Sequence, residues 1–437
     1  MKKSFHLLHA AVISQGLCAR CGLCVGVCPA NALGFDEHSF PVLTGPCQTC
    51  GLCVACCPGA EVDLPALTQE LHGRPYDYSN LQGPLESTFV GHAADHEIRH
   101  AGASGGVVTA LLLFLLSTGQ INGAVIVDAD PEKPYLFRGK LACTVKEISS
   151  AAQSKYCLVP SMEALREVRA SKGRFVVVAR PCQVQGLRKL ALADPTLFAK
   201  IEVILGLYCS CTLQPEAHLE FLQAAGICQE EVARFEFRGE GWPGGMVVEK
   251  KSGHRIPLHP GEAYGTVINT LFRLYAPDRC RLCLDGTSEL ADLSFGDFWS
   301  FDYADELRKL ERCTLISQRT VRGGQILAAA EKAGVVVLHP LPANRFSQRA
   351  LAMVKGKRSR AAIAMAKRRK QNLSVPDYHI TIPQPGLAEW RKNLSSLMAG
   401  LFRGRLGRAF VLRVLLSPWI SVIHRLRMKV SFWHGQN

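Results

Sequence analysis

The chain has 437 residues, 48% of them hydrophobic, which is length for two or three domains and ample apolar material for a packed core. Its formal charge of +14 is unevenly placed: residues 355–437 carry 17 Lys and Arg against two acids, Asp377 and Glu389, so the tail is +15 and everything before it −1. A near-neutral body with a basic tail and no recognition motif excludes a specific nucleic-acid binder, although such a tail adsorbs phosphates loosely.

The N-terminus offers Lys2, Lys3 and an apolar stretch over residues 7–13, but Ser4, His6 and His9 interrupt it and no small-residue cleavage site follows, so a secretory signal is not expected. The apolar run 105–116 is too short to span a bilayer, and the run 409–423 is broken by Arg413 and Pro418. No transmembrane helix is expected. Of eighteen cysteines, half fall between Cys18 and Cys57. Clustered thiolates need a reducing compartment, which points to the cytoplasm.

Those cysteines form a repeat. The first motif reads Cys18-Ala-Arg-Cys21-Gly-Leu-Cys24-Val-Gly-Val-Cys28-Pro29, the second Cys47-Gln-Thr-Cys50-Gly-Leu-Cys53-Val-Ala-Cys56-Cys57-Pro58, with eight of twelve positions shared at an offset of 29. This is the pattern of two-cluster ferredoxins, in which the fourth cysteine of each motif ligates the other motif's cluster. One [4Fe–4S] cluster then takes Cys18, Cys21, Cys24 and Cys57, the other Cys47, Cys50, Cys53 and Cys28. A thiolate every third residue wraps three corners of a cube, Gly22 and Gly51 let the backbone approach it, and Pro29 and Pro58 fix the direction after the fourth ligand. Zinc, the alternative for paired C-x-x-C units, needs four ligands and leaves the trailing Cys-Pro unexplained. Cys56 reads as a small buried apolar residue.

After a Pro- and Gly-containing linker over residues 73–84, the pattern becomes alternating helix and strand. Ser104-Gly105-Gly106 opens an apolar helix, and residues 123–127, 174–179 and 201–207 read as strands, with a short helix over 183–191. A mixed α/β sheet is expected. The Ser-Gly-Gly turn either holds an anion on free N–H groups or merely caps the helix. It lacks the G-x-G-x-x-G spacing of a dinucleotide fold. Cys182 and Cys209 sit at strand ends, and Cys280-Arg-Leu-Cys283 adds a C-x-x-C, so a third four-thiolate site is feasible, with Cys211 able to replace Cys209. The other reading is scattered buried cysteines. Cys143, Cys157, Cys228 and Cys313 have no such partners and read as packed thiols.

Taken together, Ala103-Ser-Gly-Gly-Val-Val-Thr-Ala-Leu-Leu, Gln153-Ser-Lys-Tyr156, Pro181-Cys-Gln-Val-Gln-Gly-Leu-Arg188, Phe237-Arg238 with Gly241-Trp242, and Cys280-Arg-Leu-Cys283 with residues 289–297 resemble the coenzyme F-420 hydrogenase/dehydrogenase beta-subunit family. The resemblance covers about residues 85–345. It implies an FAD-binding α/β domain with one [4Fe–4S] cluster beside the flavin, held here by Cys182, Cys209, Cys280 and Cys283. Ser104, Gly105 and Gly106 would line the FAD site, with Thr109, Ser154, Lys155 and Tyr156 nearby. Lys155 would stabilise a reduced flavin or a phosphate; its alternative is a solvated surface lysine. Where the family commonly has Gly-Thr-Pro-Cys-Gln, this chain has Ala179-Arg180-Pro181-Cys182-Gln183. That cation would raise the cluster's potential or alter the substrate pocket, which leaves the deazaflavin specificity open.

The expected organisation is a ferredoxin-like domain (1–72), a flavin-binding α/β domain (85–345) and a basic helical tail (346–437). The expected function is an iron–sulfur flavoprotein oxidoreductase, passing electrons between the clusters and FAD for hydride transfer to or from a deazaflavin-like or other small organic substrate, with a ferredoxin or a catalytic subunit as redox partner. The alternative is an electron-transfer subunit without its own substrate. No catalytic residue is assigned. Within the tail, residues 390–433 mix apolar residues and Arg at helical spacing, which fits either an interfacial segment on the inner face of an anionic membrane or a helix packed on the body with a solvated basic face.

Overall fold

The computed structural model describes residues 4–259, 261–394, 398–417 and 419–422. The N-terminal region pairs β1 (Leu33–Phe35) with β2 (Pro41–Leu43) antiparallel, between two short helical turns, Leu23–Gly26 and Leu52–Ala55. Five strands follow, β3 (Ser87–Ala93), β4 (Gly123–Ala129), β5 (Phe137–Ala142), β6 (Phe175–Ala179) and β7 (Ile201–Leu207). A smaller antiparallel sheet is made by β8 (Val232–Gly239), β9 (Gly245–Lys250) and β10 (Arg255–Pro257), after which β11 (Leu293–Phe298), β12 (Cys313–Gln318) and β13 (Val336–Pro340) return to the main sheet.

That main sheet has eight strands in the order β13-β3-β12-β11-β7-β6-β4-β5. β4, β6, β7 and β11 are parallel, and β12 and β5 run against their neighbours. Both faces are covered, which is why β6 and β7 read as near-continuous apolar runs rather than alternating ones. Val176, Val203 and Leu205 point into a core with Leu111 and Leu115 of the helix Val107–Ser117 and Leu327 of the helix Val321–Lys332. Val177 and Ile204, one residue out of phase, point to the opposite core, with Val184, Leu187 and Leu190 of the helix Pro181–Ala193.

This second core is shared with the N-terminal region: Leu8, Leu17, Leu23 and Cys56 belong to it. The contact is close enough to need a glycine. A Cβ on Gly186 would lie 2.5 Å from Leu23 Cδ2 and 3.2 Å from the Cys56 carbonyl oxygen. Leu23 is wholly buried there, a gain of about 1.5–3 kcal/mol for a side chain of its kind.

The basic run at 355–370 lies within a 23-residue helix, Gln348–Lys370, capped by Ser347. It is not solvated all round: Lys357 and Arg358 are 4% and 3% exposed, and Ala361 and Met365 join the shared core. Arg358 pairs with buried Glu289 at 2.7 Å and donates to the carbonyl of Asn80.

Parallel strands place their C-terminal ends at one edge of a sheet, where α/β folds build sites. Here that edge gathers the turn Ser104–Gly106 reached from β3, Cys182 after β6, Cys209 after β7, Trp299 after β11 and Thr314 at the start of β12.

Candidate functional site

The duplicated motif is duplicated in shape. Gly22 and Gly51 take φ of 84° and 82°, a left-handed conformation that starts the turns Leu23–Gly26 and Leu52–Ala55 and sets Cys24 and Cys53 within their first turn. Arg20 and Thr49, each two residues after the first cysteine, both have positive φ and aim their amides at its sulfur: Arg20 N–H to Cys18 Sγ at 3.4 Å, Thr49 N–H to Cys47 Sγ at 3.5 Å.

Two cavities result. Cys18, Cys21, Cys24 and Cys57 line one, with Leu8, Val12 and Pro58; Cys28, Cys47, Cys50 and Cys53 line the other. The fourth cysteine of each motif faces the other motif's cavity. Burial, with repulsion from Cys57, pushes the Cys18 thiol up to about 12, and burial with repulsion from Cys50, Cys47 and Cys28 does the same to Cys53. Among the described residues no three His, Cys, Asp or Glu side chains converge on the position of a single ion. The thiols surround a space wider than one atom, and such a donor set fits a cubane.

A third group forms at the sheet edge. Cys182, Cys209, Cys280 and Cys283 act on one another electrostatically in a buried setting, Cys182 at the first turn of its helix, Cys280 within the short turn Asp278–Leu282 and Cys283 just after it. Cys211 joins them as a hydrogen-bond partner of Cys280 and also donates to the Thr212 carbonyl at 3.2 Å. Around these thiols stand three cations, Arg279 and Lys357 buried and Arg180 half-buried. Arg180 donates to the carbonyl of Val159 at 3.0 Å, Arg279 to the carbonyls of Gly59 and Pro58 at 3.0 and 2.9 Å and to Tyr378 Oη at 3.0 Å, and Lys357 to the carbonyls of Cys209 and Asp285 at 2.6 and 2.7 Å.

None of the three has an ion pair with a carboxylate among the described residues. Burial alone would discharge Lys357, yet the charges of Cys283 and Cys209, with Asp285, overcome it and hold the ammonium well above its usual range. Arg180 is likewise held up against burial by Cys182, Cys209 and Cys280. Buried cations need compensating charge, and the groups that face these are the sulfur atoms of Cys182, Cys209, Cys280 and Cys283.

The three groups stand in a row. Cys21 interacts with Cys182, and Arg279 acts on Cys18 and Cys57 on one side and on Cys182 on the other, so the cavity of Cys18, Cys21, Cys24 and Cys57 adjoins the third group. The other cavity lies outward, where Cys50 is exposed. Cys56, wholly buried, interacts with Cys57, Cys21 and Cys53 between the two cavities.

The remaining residues expected at a site divide. Ser104 Oγ lies 2.9 Å from Thr314 Oγ1, the Gly105 N–H donates to the same oxygen at 2.9 Å, and a Cβ at Gly105 would sit 2.5 Å from the Gly91 carbonyl oxygen, so the turn is fitted against β3 and β12. Thr109 lies half-buried on the helix that follows and Ser154 half-buried before Lys155. Lys155 is not a solvated surface lysine: its ammonium donates to the carbonyls of Ala151, Ala152 (2.6 Å) and Gln153 (3.2 Å), closing the end of the helix Val145–Ser150, and burial lowers it to about 8. Its donors are spent on its own backbone.

Tyr156 meets a different set. Its hydroxyl accepts from Arg238 Nη1 at 3.2 Å, and the same Nη1 pairs with Asp297 at 2.9 Å. Arg238 faces the rings of Trp242 and Tyr264 at 5.1 Å each, and Trp242 lies 5.1 Å from Trp299. The Arg238 side chain is 1% exposed, and its Nη2 has no hydrogen-bond partner among the described residues. Asp297 is the strand partner of Thr314, so the Ser104 turn and Tyr156 flank one point at the end of β11. Arg312, at the start of β12, feels both Arg99 and Arg238. In the sequence, Arg238 and Trp242 stand out only as residues matching a family pattern, and nothing there gives a role to Asp297, Trp299, Thr314, Arg279 or Lys357. Lys357 in particular is one basic residue in a run of them.

Two family models match most of the α/β region, those for the N-terminal and C-terminal parts of the coenzyme F420 hydrogenase/dehydrogenase beta subunit, over residues 88–166 and 172–344 respectively. A "4Fe-4S binding domain" model matches residues 11–34. Among curated relatives, the coenzyme F420-dependent sulfite reductase of Methanocaldococcus jannaschii is 27% identical over 341 residues, 74% of this chain, which spans about half (48%) of that protein. The coenzyme F420 hydrogenase subunit beta of Methanothermobacter thermautotrophicus is 28% identical over 272 residues, 59% of this chain and 86% of that one. A chain from the F420-reducing [NiFe] hydrogenase complex of Methanosarcina barkeri shares the fold at a TM-score of 0.54 and 21% identity, covering 69% of this chain and 99% of its own. With both halves of the family matched in order across its central sheet, and an iron–sulfur segment ahead of them, the chain belongs to the coenzyme F420 hydrogenase/dehydrogenase beta-subunit family of oxidoreductases.

Proposed function

We propose that the chain is an iron–sulfur flavoprotein that exchanges electrons with a redox partner at its N-terminal region and hydride with a small organic substrate at the C-terminal edge of its main sheet. Cys28, Cys47, Cys50 and Cys53 hold one [4Fe–4S] cluster, Cys18, Cys21, Cys24 and Cys57 a second, and Cys182, Cys209, Cys280 and Cys283 a third. The Ser104–Gly106 turn and the Arg238–Asp297 pair would hold FAD between them. When bound, these groups supply one-electron transfer along the clusters and conversion to two-electron chemistry at the flavin.

The observation that carries the reading is the set of Arg180, Arg279 and Lys357 around five thiols, Arg279 and Lys357 buried and Arg180 half-buried, none with a carboxylate ion pair among the described residues. Its compensation is a dianionic or trianionic tetrathiolate cluster. For the flavin and substrate, the supporting observation is Arg238 Nη2, buried without a hydrogen-bond partner among the described residues and beside Trp242, which packs on Trp299, and this suits a planar anionic group. The residues around it bind and orient: Asp297 and Tyr156 fix the guanidinium, and Trp242 and Trp299 shield it from water.

Anaerobically purified chain is expected to contain about twelve irons with matching sulfide and one FAD. Eight irons without flavin would reduce the reading to the ferredoxin-like segment.

A second reading is an electron-transfer subunit serving a catalytic partner; it is favoured by the relatives described as hydrogenase subunits and by the structural match to a hydrogenase complex. Supplying the isolated chain with a chemical reductant and a panel of hydride acceptors separates the two, because only the first turns over alone.

A further inference from the structure

The C-terminal helix Arg405–Leu416 has two apolar faces, and the body uses one. Arg408, Leu412 and Leu415, spaced i, i+4, i+7, turn inward. Leu412 and Leu415 are 1% and 3% exposed in the core of the smaller sheet, while Arg408 pairs with Glu220 at 2.6 Å and covers the ring of Tyr275. Roughly 160° round the helix lie Leu406, Phe410 and Arg413. Leu406 is 87% exposed and Phe410 62%. The flanking segments add Leu401, Phe402, Trp419 and Val422, all exposed. Single exposed apolar residues are ordinary, but a series of this length along one segment is not.

Charge identifies the occupant. Residues 387–437 hold nine Lys and Arg against one acid, Glu389. Arg405 and Arg413 stand exposed beside the apolar residues and form no ion pair among the described residues. A second copy of this face would bring like charges together. A surface that is both negative and apolar just beneath its charge is that of an anionic phospholipid bilayer. No helix among the described residues is long and apolar enough to cross a membrane, so this one would lie in the plane. The geometry points to the outer face of Arg405–Leu416 as a docking surface for anionic lipid, with Leu406 and Phe410 entering the headgroup boundary and Arg405 and Arg413 on the phosphates. Of the two behaviours expected for this segment, the inner face performs the packing and the outer face is left for the membrane.

Vesicle sedimentation of the anaerobically purified full chain tests this, using phosphatidylcholine alone and phosphatidylcholine with phosphatidylglycerol. The wild type is expected to sediment with the anionic vesicles, less so at high salt, and not with the neutral ones. Leu406→Ser with Phe410→Ser, and separately Arg405→Gln with Arg413→Gln, each weaken partitioning at least about tenfold. Both pairs are exposed, so an unchanged iron content certifies that each variant is folded. Absence of binding to anionic vesicles, or equal binding by wild type and the serine variant, overturns the proposal. So does a concentration-dependent dimer that the serine variant dissociates, which would give this face to a second copy.

Discussion

Replacing Lys357 with Met removes one of three positive charges facing the third thiol group, itself buried, while keeping most of the side-chain volume. Its Nζ donates to the Cys209 carbonyl at 2.6 Å, so the centre of a cluster held by that residue's sulfur would lie on the order of 7 Å from the charge. With an effective dielectric near 20, a unit charge at that distance is worth roughly 2.4 kcal/mol. On a one-electron couple this is about 100 mV. A cation stabilises the more negative, reduced cluster, so its loss should lower the midpoint potential by about that amount. The assay is a redox titration followed by electron paramagnetic resonance, with the signal of the third cluster resolved from the other two. Lys357→Arg, which keeps the charge, should leave the potential within about 30 mV of wild type, and so separates electrostatics from packing. The reasoning fails if the Met variant retains all its iron and its potential stays put or rises.

Cys280→Ala should cost about four irons and leave about eight, whereas Cys211→Ser should keep about twelve, as counted by metal analysis; the reverse result would put Cys211 in the ligand set. Arg238→Met should reduce retained flavin at least about tenfold, read from the absorbance of the denatured cofactor, with iron unchanged, because it strips the guanidinium held between Trp242 and Asp297. His218 lies among Phe137, Phe235 and Phe237, and burial pushes it down to about 4 from a usual value near 6.5. Its folded form resists protonation while the unfolded form accepts it, so stability is lost as pH falls from about 6.5 to 4, by at most about 3 kcal/mol. His218→Phe should flatten that part of the pH dependence of thermal unfolding; an identical slope would exclude His218 as its source.

The N-terminal region was legible because its chemistry is local. Ligand spacing, the glycines at the left-handed positions and the proline after each fourth cysteine all lie within a dozen residues, so the sequence repeat and the structural repeat coincide. The strands at 174–179 and 201–207 were legible for a related reason: burial on both faces makes each a continuous apolar run, read nearly to its ends in β6 and β7. The helix expected over 183–191 runs from Pro181 to Ala193, its start hidden in the sequence because Pro181 and Cys182 resemble a strand end more than a first turn.

Residues far apart in sequence acquired their roles only through folding. Nothing in the basic run at 355–370 singles out Lys357, because a charge pattern cannot show which of several lysines is buried. The helix Gln348–Lys370 turns that one residue against Cys209 and Asp285. Arg279 became the link between two thiol groups because the core that buries Leu23 against Gly186 brings Pro58 and Gly59 to it. Lys155 drew attention as a free cation, and only the fold shows its donors consumed by three carbonyls. What the sequence determined by itself is the cysteine arithmetic and the alternation of helix and strand, since both depend on short-range spacing. The tertiary structure decided which charges are buried and what faces them, because the cost of burying a charge is set by partners that no spacing along the chain predicts.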